Sequence, residues 1–227
     1  MPLKVSLLDY TPNPETVIAV AAHQCVSNDD AAAFHMDLLK KHPKHSNKII
    51  AKALGYGHTS ILEHVSFSFA VSGVSRTFSH QLVRFRVGVS YSQQSQRYVK
   101  FGGTIPCVTP PSFEQHPDLL ARYGDLLVDM AAFYSDAVAA GIPAEDARFI
   151  APNATETALI VTVNARELLH IFSLRCCTHA QWEIRAWANE TLRLVKPILP
   201  VAFASAGPPC ITGACPEGSR SCGGVRG

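Results

Sequence analysis

Leu159-Ile-Val-Thr-Val163 runs without a break into Asn164-Ala-Arg-Glu167, and this junction decides the fold class. The β-branched run predicts a buried strand. Asn164 is placed to cap a helix, with Glu167 three residues on to complete a capping box, so a strand feeds directly into a helix. Thr178-His-Ala-Gln181 repeats the signal before Trp182, Ile184, Ala188, Leu192 and Val195, and Pro197 closes that second helix. Upstream, Val65-Ser-Phe-Ser-Phe-Ala-Val71 alternates large apolar with small residues, the period of a strand with one buried face. Phe78 and Leu82 then recur at helical spacing, predicting a helix that ends near Arg84. Leu119, Leu120, Tyr123, Leu127, Met130 and Phe133 predict a long amphipathic helix over 118–140, stopped by Gly141-Ile-Pro143. The segment from Gly88 to Gln96 carries small polar residues without an apolar face and reads as a loop, followed by a strand over 97–101. The class expected is α+β: a mixed sheet packed with long helices.

The chain has 227 residues, 20 Lys+Arg against 18 Asp+Glu, a formal charge of +2 and 47% apolar residues. No linker or repeat interrupts the body, so the expectation is one domain over 1–200 and a flexible Gly/Pro/Cys-rich tail over 201–227. Apolar runs such as Val17 to Ala22 fall far short of the ~20 residues of a membrane-spanning helix. Asp9 and Pro12 arrive too early for a signal peptide, which predicts a cytoplasmic protein. The near balance of charge argues against a general nucleic-acid binder. Of seven cysteines, Cys25, Cys107, Cys176 and Cys177 sit in apolar or helical surroundings. Cys210, Cys215 and Cys222 fall in the tail without CxxC spacing or a nearby His, short of a zinc set, so no metal site is expected.

Candidate chemistry concentrates in Gln81-Leu82-Val83-Arg84-Phe85-Arg86 and Ser95-Gln96-Arg97-Tyr98, where three guanidiniums fall within fourteen positions. Arginine presents a planar fork of donors that matches phosphate or carboxylate oxygens. Ser90, Ser92, Gln93 and Gln94 add neutral donors and acceptors, a combination that suits a nucleotide. Arg84 and Arg86 face the same way only if the helix has ended by Arg84. Arg166, His170 and Leu174 share one face of the capped helix, with Arg175 at its C-terminal end. His58, Glu63 and His64 are metal-ligand types but lack HExxH spacing. GxGxxG, GxxxxGK[ST] and GxSxG are all absent, and Cys107 has no base beside it in sequence.

Arg84-Phe85-Arg86, eight residues, then Ser95-Gln96-Arg97-Tyr98 resembles the signature of the flavin-dependent thymidylate synthases, the ThyX family. His58-x-Ser60 with Glu63-His64, then Arg148, Asn164-Ala-Arg166, His170, Leu174-Arg175 and His179-Ala-Gln-Trp-Glu-Ile-Arg185 follow in the family's order, covering about Leu3 to Pro200. The resemblance implies a ThyX-like fold and reductive methylation of dUMP to dTMP. Methylenetetrahydrofolate would give the carbon, NADPH the reducing equivalents, and FAD would mediate. Carried over by position, Gln81, Leu82, Val83, Arg84, Gln93, Gln94, Ser95, Gln96, Arg97, Arg148 and Arg175 would surround dUMP, with Arg175 catalytic in polarising the uracil ring. Ser60, Arg84, Phe85, Arg86, Asn164, Ala165, Arg166 and His170 would hold FAD. The family also implies a homotetramer with shared active sites.

Phe85 stands where the signature has His; its ring is expected to stack against flavin, and Phe85→His to raise turnover. Gln93 stands where many relatives carry Glu. Three other readings compete. A nucleotide- or RNA-binding module would use Arg84, Arg86 and Arg97 with Phe85, Tyr91 and Tyr98 as stacking rings. A metal-dependent hydrolase would use His58, Glu63 and His64. A cysteine-dependent synthase would use Cys107.

Overall fold

The computed structural model of the chain describes residues 2–41 and 44–223. Its strands are β1 (Lys4–Tyr10), β2 (Ser66–Ser75), β3 (Val89–Gln93) and β4 (Glu156–Asn164), joined in one sheet in the order β1-β2-β4-β3. Thr11 N–H donates to Ser66 O at the β1–β2 turn of register. Arg76 N–H reaches Thr155 O at one end of β2 against β4, and Ala165 N–H reaches Val65 O at the other. Gln94 N–H to Ala158 O and Asn164 N–H to Gly88 O frame β3 against β4 in the same way. All neighbouring strands are therefore antiparallel, so the α+β class holds but the sheet is not of mixed direction.

In β2 the alternation read from sequence is the alternation of burial, with Phe67, Phe69 and Val71 pointing inward; in β4 the β-rich run also alternates, with Leu159, Val161 and Val163 buried. β3 was expected as loop. As an edge strand it exposes Ser90 and Ser92 and half-buries Val89 and Tyr91; that alternation carries only two apolar residues, too few to stand out from a polar loop, and backbone pairing to β4 makes it a strand. The strand expected over 97–101 is absent; Gln96–Tyr98 form a turn closed by Val99 N–H to Ser95 O at 3.0 Å.

The helices are α1 (Pro14–Gln24), α2 (Ala31–Lys40), α3 (Lys44–Gly55), α4 (Arg76–Leu82), α5 (Pro117–Ala139), α6 (Ala144–Ala147), α7 (Ala165–Arg175) and α8 (Trp182–Val195). Asn164 caps α7 as expected, its side-chain oxygen accepting from Glu167 N–H at 2.8 Å. The reciprocal half of the box is replaced, because Asn164 N–H is taken by Gly88 O. At α8 the cap is Gln181, whose Oε1 accepts from the N–H groups of Glu183 and Ile184, rather than Thr178.

By compactness the chain divides into two units, Met1–Lys4 with Val71–Arg84 and Ser92–Ile160, and Val5–Ala70 with Phe85–Tyr91 and Val161–Gly227. In the first, Ile105, Ala131, Tyr134, Ala137 and Ala147 form a buried cluster, with Phe101 edge-on to Tyr134 at 5.0 Å. This corrects the α5 face read from periodicity, since Leu119 and Phe133 are more than half exposed while Ala131 and Ala137 are inside. In the second, Phe67, Phe172, Trp187 and Phe203 are fully buried, and Phe203 packs on both Phe67 and Phe172. The packed region thus continues past the boundary expected at Pro200, through Ala202, Phe203 and Ala206.

Candidate active site

In the first unit, α4 starts on Ser75, whose hydroxyl accepts from Phe78 N–H at 3.0 Å, and ends at Leu82 with Val83 as C-cap. Arg84 therefore lies beyond the helix, as the same-side condition requires, and is exposed. Gln81 is half-buried beside the end of α4. Leu82 is fully buried, so its side chain is core and only its backbone is available for the contact the resemblance implied.

The following strand brings the polar run into order. Gln93 Nε2 donates to Thr157 Oγ1 at 3.2 Å, Gln94 N–H to Ala158 O at 2.9 Å, and Ser95 Oγ accepts from Arg97 N–H at 3.2 Å. Gln94, Ser95 and Gln96 line a cavity of about 210 Å³. Arg97 and Arg148 meet through one residue: Arg97 Nε donates to the Glu145 carboxylate at 2.6 Å and Arg148 Nε to the Glu145 carbonyl at 3.0 Å.

Arg76 was missed in the sequence. Its Nη2 holds the Gln94 carbonyl at 2.9 Å, and its Nε is buried with no hydrogen-bond partner. Burial, and then the charge of Arg148, push its pKa below the ordinary arginine value. No sequence signal marks this, because Arg76 opens a helix where arginine is common on surfaces.

In the second unit, Gly88 meets Asn164 at the start of α7, and Phe85 meets His170 and Arg175 further along that helix. Asn164, Arg166, Glu63, Val87 and Glu167 line a cavity of about 300 Å³, and Arg166 pairs with Glu63. Ala165 is fully buried and offers only backbone. Ser60 and Arg86 are exposed, Ser60 in the short 3-10 turn Thr59–His64. Burial raises the pKa of Glu167, opposed by the nearby charges of His170 and Arg166.

Phe85 is 6% exposed. The Arg175 guanidinium lies over its ring at 5.4 Å, and the His170 ring meets it edge-on at 5.7 Å. Tyr91 OH fixes the Phe85 carbonyl at 3.0 Å. The ring thus carries the Arg175 guanidinium over it and the His170 ring at its edge. Arg175 Nε is buried and hydrogen-bonds to nothing. An unpaired buried donor costs roughly 1–3 kcal/mol, more when charged.

The metal reading loses its set. Glu63 is committed to Arg166, and among the described residues no three His, Cys, Asp or Glu side chains are grouped to hold a metal ion. Burial raises the pKa of Cys107, opposed by a hydrogen bond with Thr155, so its thiol stays protonated and is a poor nucleophile.

The family profile described as "Thymidylate synthase complementing protein" matches residues 6–201. A flavin-dependent thymidylate synthase of Geobacter sulfurreducens is 49% identical over 224 residues, 97% of this chain and 94% of that protein. This chain belongs to the flavin-dependent thymidylate synthases. Another member of that family, from Clostridium tetani, is 43% identical over 240 residues, covering 98% of this chain and 94% of its own length. Among solved structures, the UMP/dUMP methylase PolB from Streptomyces cacaoi, bound with 5-Br dUMP, superposes with a TM-score of 0.74 over 91% of this chain and 96% of its own. At 23% identity that likeness speaks for the fold, so the thymidylate synthase family and its architecture agree. No helix among the described residues is long and apolar enough to cross a membrane.

Proposed function

We propose that this chain catalyses its family's reaction, the transfer of a methylene group from methylenetetrahydrofolate to C5 of dUMP with reduction by NADPH. The balance is dUMP, methylenetetrahydrofolate, NADPH and a proton giving dTMP, tetrahydrofolate and NADP+. FAD, when bound, relays the hydride from NADPH, which is why no protein group need carry redox chemistry. The residues fit such a cofactor: the cavity at Asn164 and Arg166 offers a cation and amide donors suited to a pyrophosphate. Its negative charge would compete with Glu63 for the Arg166 fork.

Arg175 carries the reading. Its guanidinium, seated on the Phe85 ring, would offer a uracil oxygen a fixed donor through its nitrogens other than the buried Nε. Pulling charge towards that oxygen as C5 forms its new bond stabilises the transition state without a covalent protein adduct. Gln94, Ser95 and Gln96 would bind the nucleotide, with Gln81, Arg84, Gln93, Arg97 and Arg148 around it. Arg76 would add a cation for its phosphate. Arg76→Met is expected to raise the KM for dUMP by roughly 10-fold or more, the value of one charge-assisted bond, with kcat changed far less. An unchanged KM would assign Arg76 to holding the Gln94 carbonyl alone.

Phe85→Leu keeps the volume but removes the ring's negative face. A cation–π contact of about 0.5–2 kcal/mol predicts a kcat roughly 2- to 30-fold lower with flavin content unchanged. For the same reason Phe85→His is now expected to lower turnover, most at acid pH, where an imidazolium would repel Arg175.

Homotetramer assembly with shared active sites belongs to the same proposal. It is supported by Leu119, Leu126, Val128 and Phe133 of α5, each 46–68% exposed. The reading also places the enzyme in the cytoplasm. Purified protein given dUMP, methylenetetrahydrofolate and NADPH should form dTMP only when FAD is supplied, and Cys107→Ala should retain that activity. Turnover without FAD, or its loss in Cys107→Ala with the fold intact, would favour the cysteine-dependent chemistry instead.

A further inference from the structure

The turn from Phe85 to Tyr91 is pinned within the second unit at three places. Asn164 N–H holds the Gly88 carbonyl at 2.8 Å, where Gly88 turns the chain with φ 63°. The Phe85 ring meets two side chains of α7, with the Arg175 guanidinium over it at 5.4 Å and His170 edge-on at 5.7 Å. The third pin closes the turn on itself: Tyr91 OH donates to the Phe85 carbonyl at 3.0 Å. Tyr91, which the RNA-binding reading used as a stacking ring, lies on the half-buried side of β3. Burial, and then the negative charge of Glu167, push its pKa above the ordinary tyrosine value, so the hydroxyl keeps its proton and stays a donor.

We infer that Tyr91 is a positioning residue for Arg175: by fixing the Phe85 backbone, its hydroxyl fixes the ring on which the guanidinium rests. This role rests on the reaction proposed above. A cation is held over a ring by the ring's quadrupole, an attraction that counts only within about 6 Å of the centroid. The Arg175 contact at 5.4 Å stands close to that limit, so a small displacement of Phe85 weakens it. A packing role needs only the tyrosine ring, which phenylalanine supplies. The positioning role needs the hydroxyl, and its effect must pass through the Phe85 ring and vanish with it. Because Arg175 acts on charge that develops in the transition state, a loosened seat lowers kcat and leaves the KM for dUMP where it was.

Tyr91→Phe in full-length, FAD-reconstituted protein is expected to lower kcat about 3- to 10-fold, the value of one neutral hydrogen bond, with flavin content and the KM for dUMP unchanged. In a Phe85→Leu background the same change should alter kcat by less than about 2-fold. Equal losses in the two backgrounds, or an unchanged kcat in Tyr91→Phe, overturn the proposal. A readout independent of turnover is the Arg175 Nε–H proton resonance in nitrogen-15-labelled protein, assigned by its loss in Arg175→Lys. The face of the Phe85 ring shields that proton, so its signal should lie upfield of ordinary arginine and move towards the Phe85→Leu position in Tyr91→Phe. A signal that Tyr91→Phe leaves in place overturns the proposal as well. Wild-type protein that forms no dTMP rejects the reaction itself, and the resonance then decides the placement on its own.

Discussion

Arg175→Lys is expected to lower kcat by about 10²–10³-fold while flavin remains bound and dUMP still saturates the enzyme. The side chain sits on the last turn of α7, held over the Phe85 ring at 5.4 Å with Nε buried and unpaired. Lysine retains the charge and the ring contact but replaces a planar fork by a single mobile ammonium, so the donor no longer meets the oxygen where charge develops. Because that interaction matters most in the transition state, the loss falls on kcat and on kcat/KM together. Stopped-flow and steady-state kinetics separate this from a packing role, which would appear as lost flavin or a lower Tm at unchanged kcat.

Gly88→Ala is expected to lower Tm by roughly 10 °C and to strip flavin, although Gly88 has no side chain to touch a ligand. Its φ is 63°, and a Cβ there would stand 2.0 Å from Asn164 Nδ2 and 2.6 Å from Asn164 Cγ. Asn164 cannot retreat cheaply, since it caps α7 through Glu167 N–H at 2.8 Å and donates its own N–H to the Gly88 carbonyl at 2.8 Å. Left-handed strain of about 1–3 kcal/mol and a lost cap of about 1 kcal/mol combine, and α7 carries Arg166, His170 and Arg175. In the Gly88→Ala/Asn164→Ala double variant the clash disappears, so the two losses should be clearly less than additive by thermal melts. Additive losses would place the strain elsewhere.

The strand–helix junction at Asn164 was legible because three signals coincide there: a β-branched run, a capping residue and helical spacing beyond it. β2 was legible because one face is covered and the other is not. β3 was not, since its period rests on Val89 and Tyr91 alone, set among small polar residues on a half-buried edge. The α5 stripe was right for Met130, which packs on the first unit's core beside Tyr134, but wrong at its ends, where Leu119 and Phe133 are exposed while the small Ala131 and Ala137 are inside. In the site, sequence order gave the positions of Arg84, Ser95 to Arg97 and Arg175 by resemblance. It could not give the third dimension: that Phe85 is buried under Arg175, that Glu145 joins Arg97 to Arg148, or that Arg76 holds Gln94.

The most direct test is the visible spectrum of FAD-reconstituted protein during anaerobic addition of NADPH, with and without dUMP, followed by methylenetetrahydrofolate. The account predicts a yellow protein whose flavin bands bleach on NADPH addition with dUMP present and return as dTMP appears. A protein that binds no flavin, or whose bands bleach and recover without forming dTMP, would contradict it.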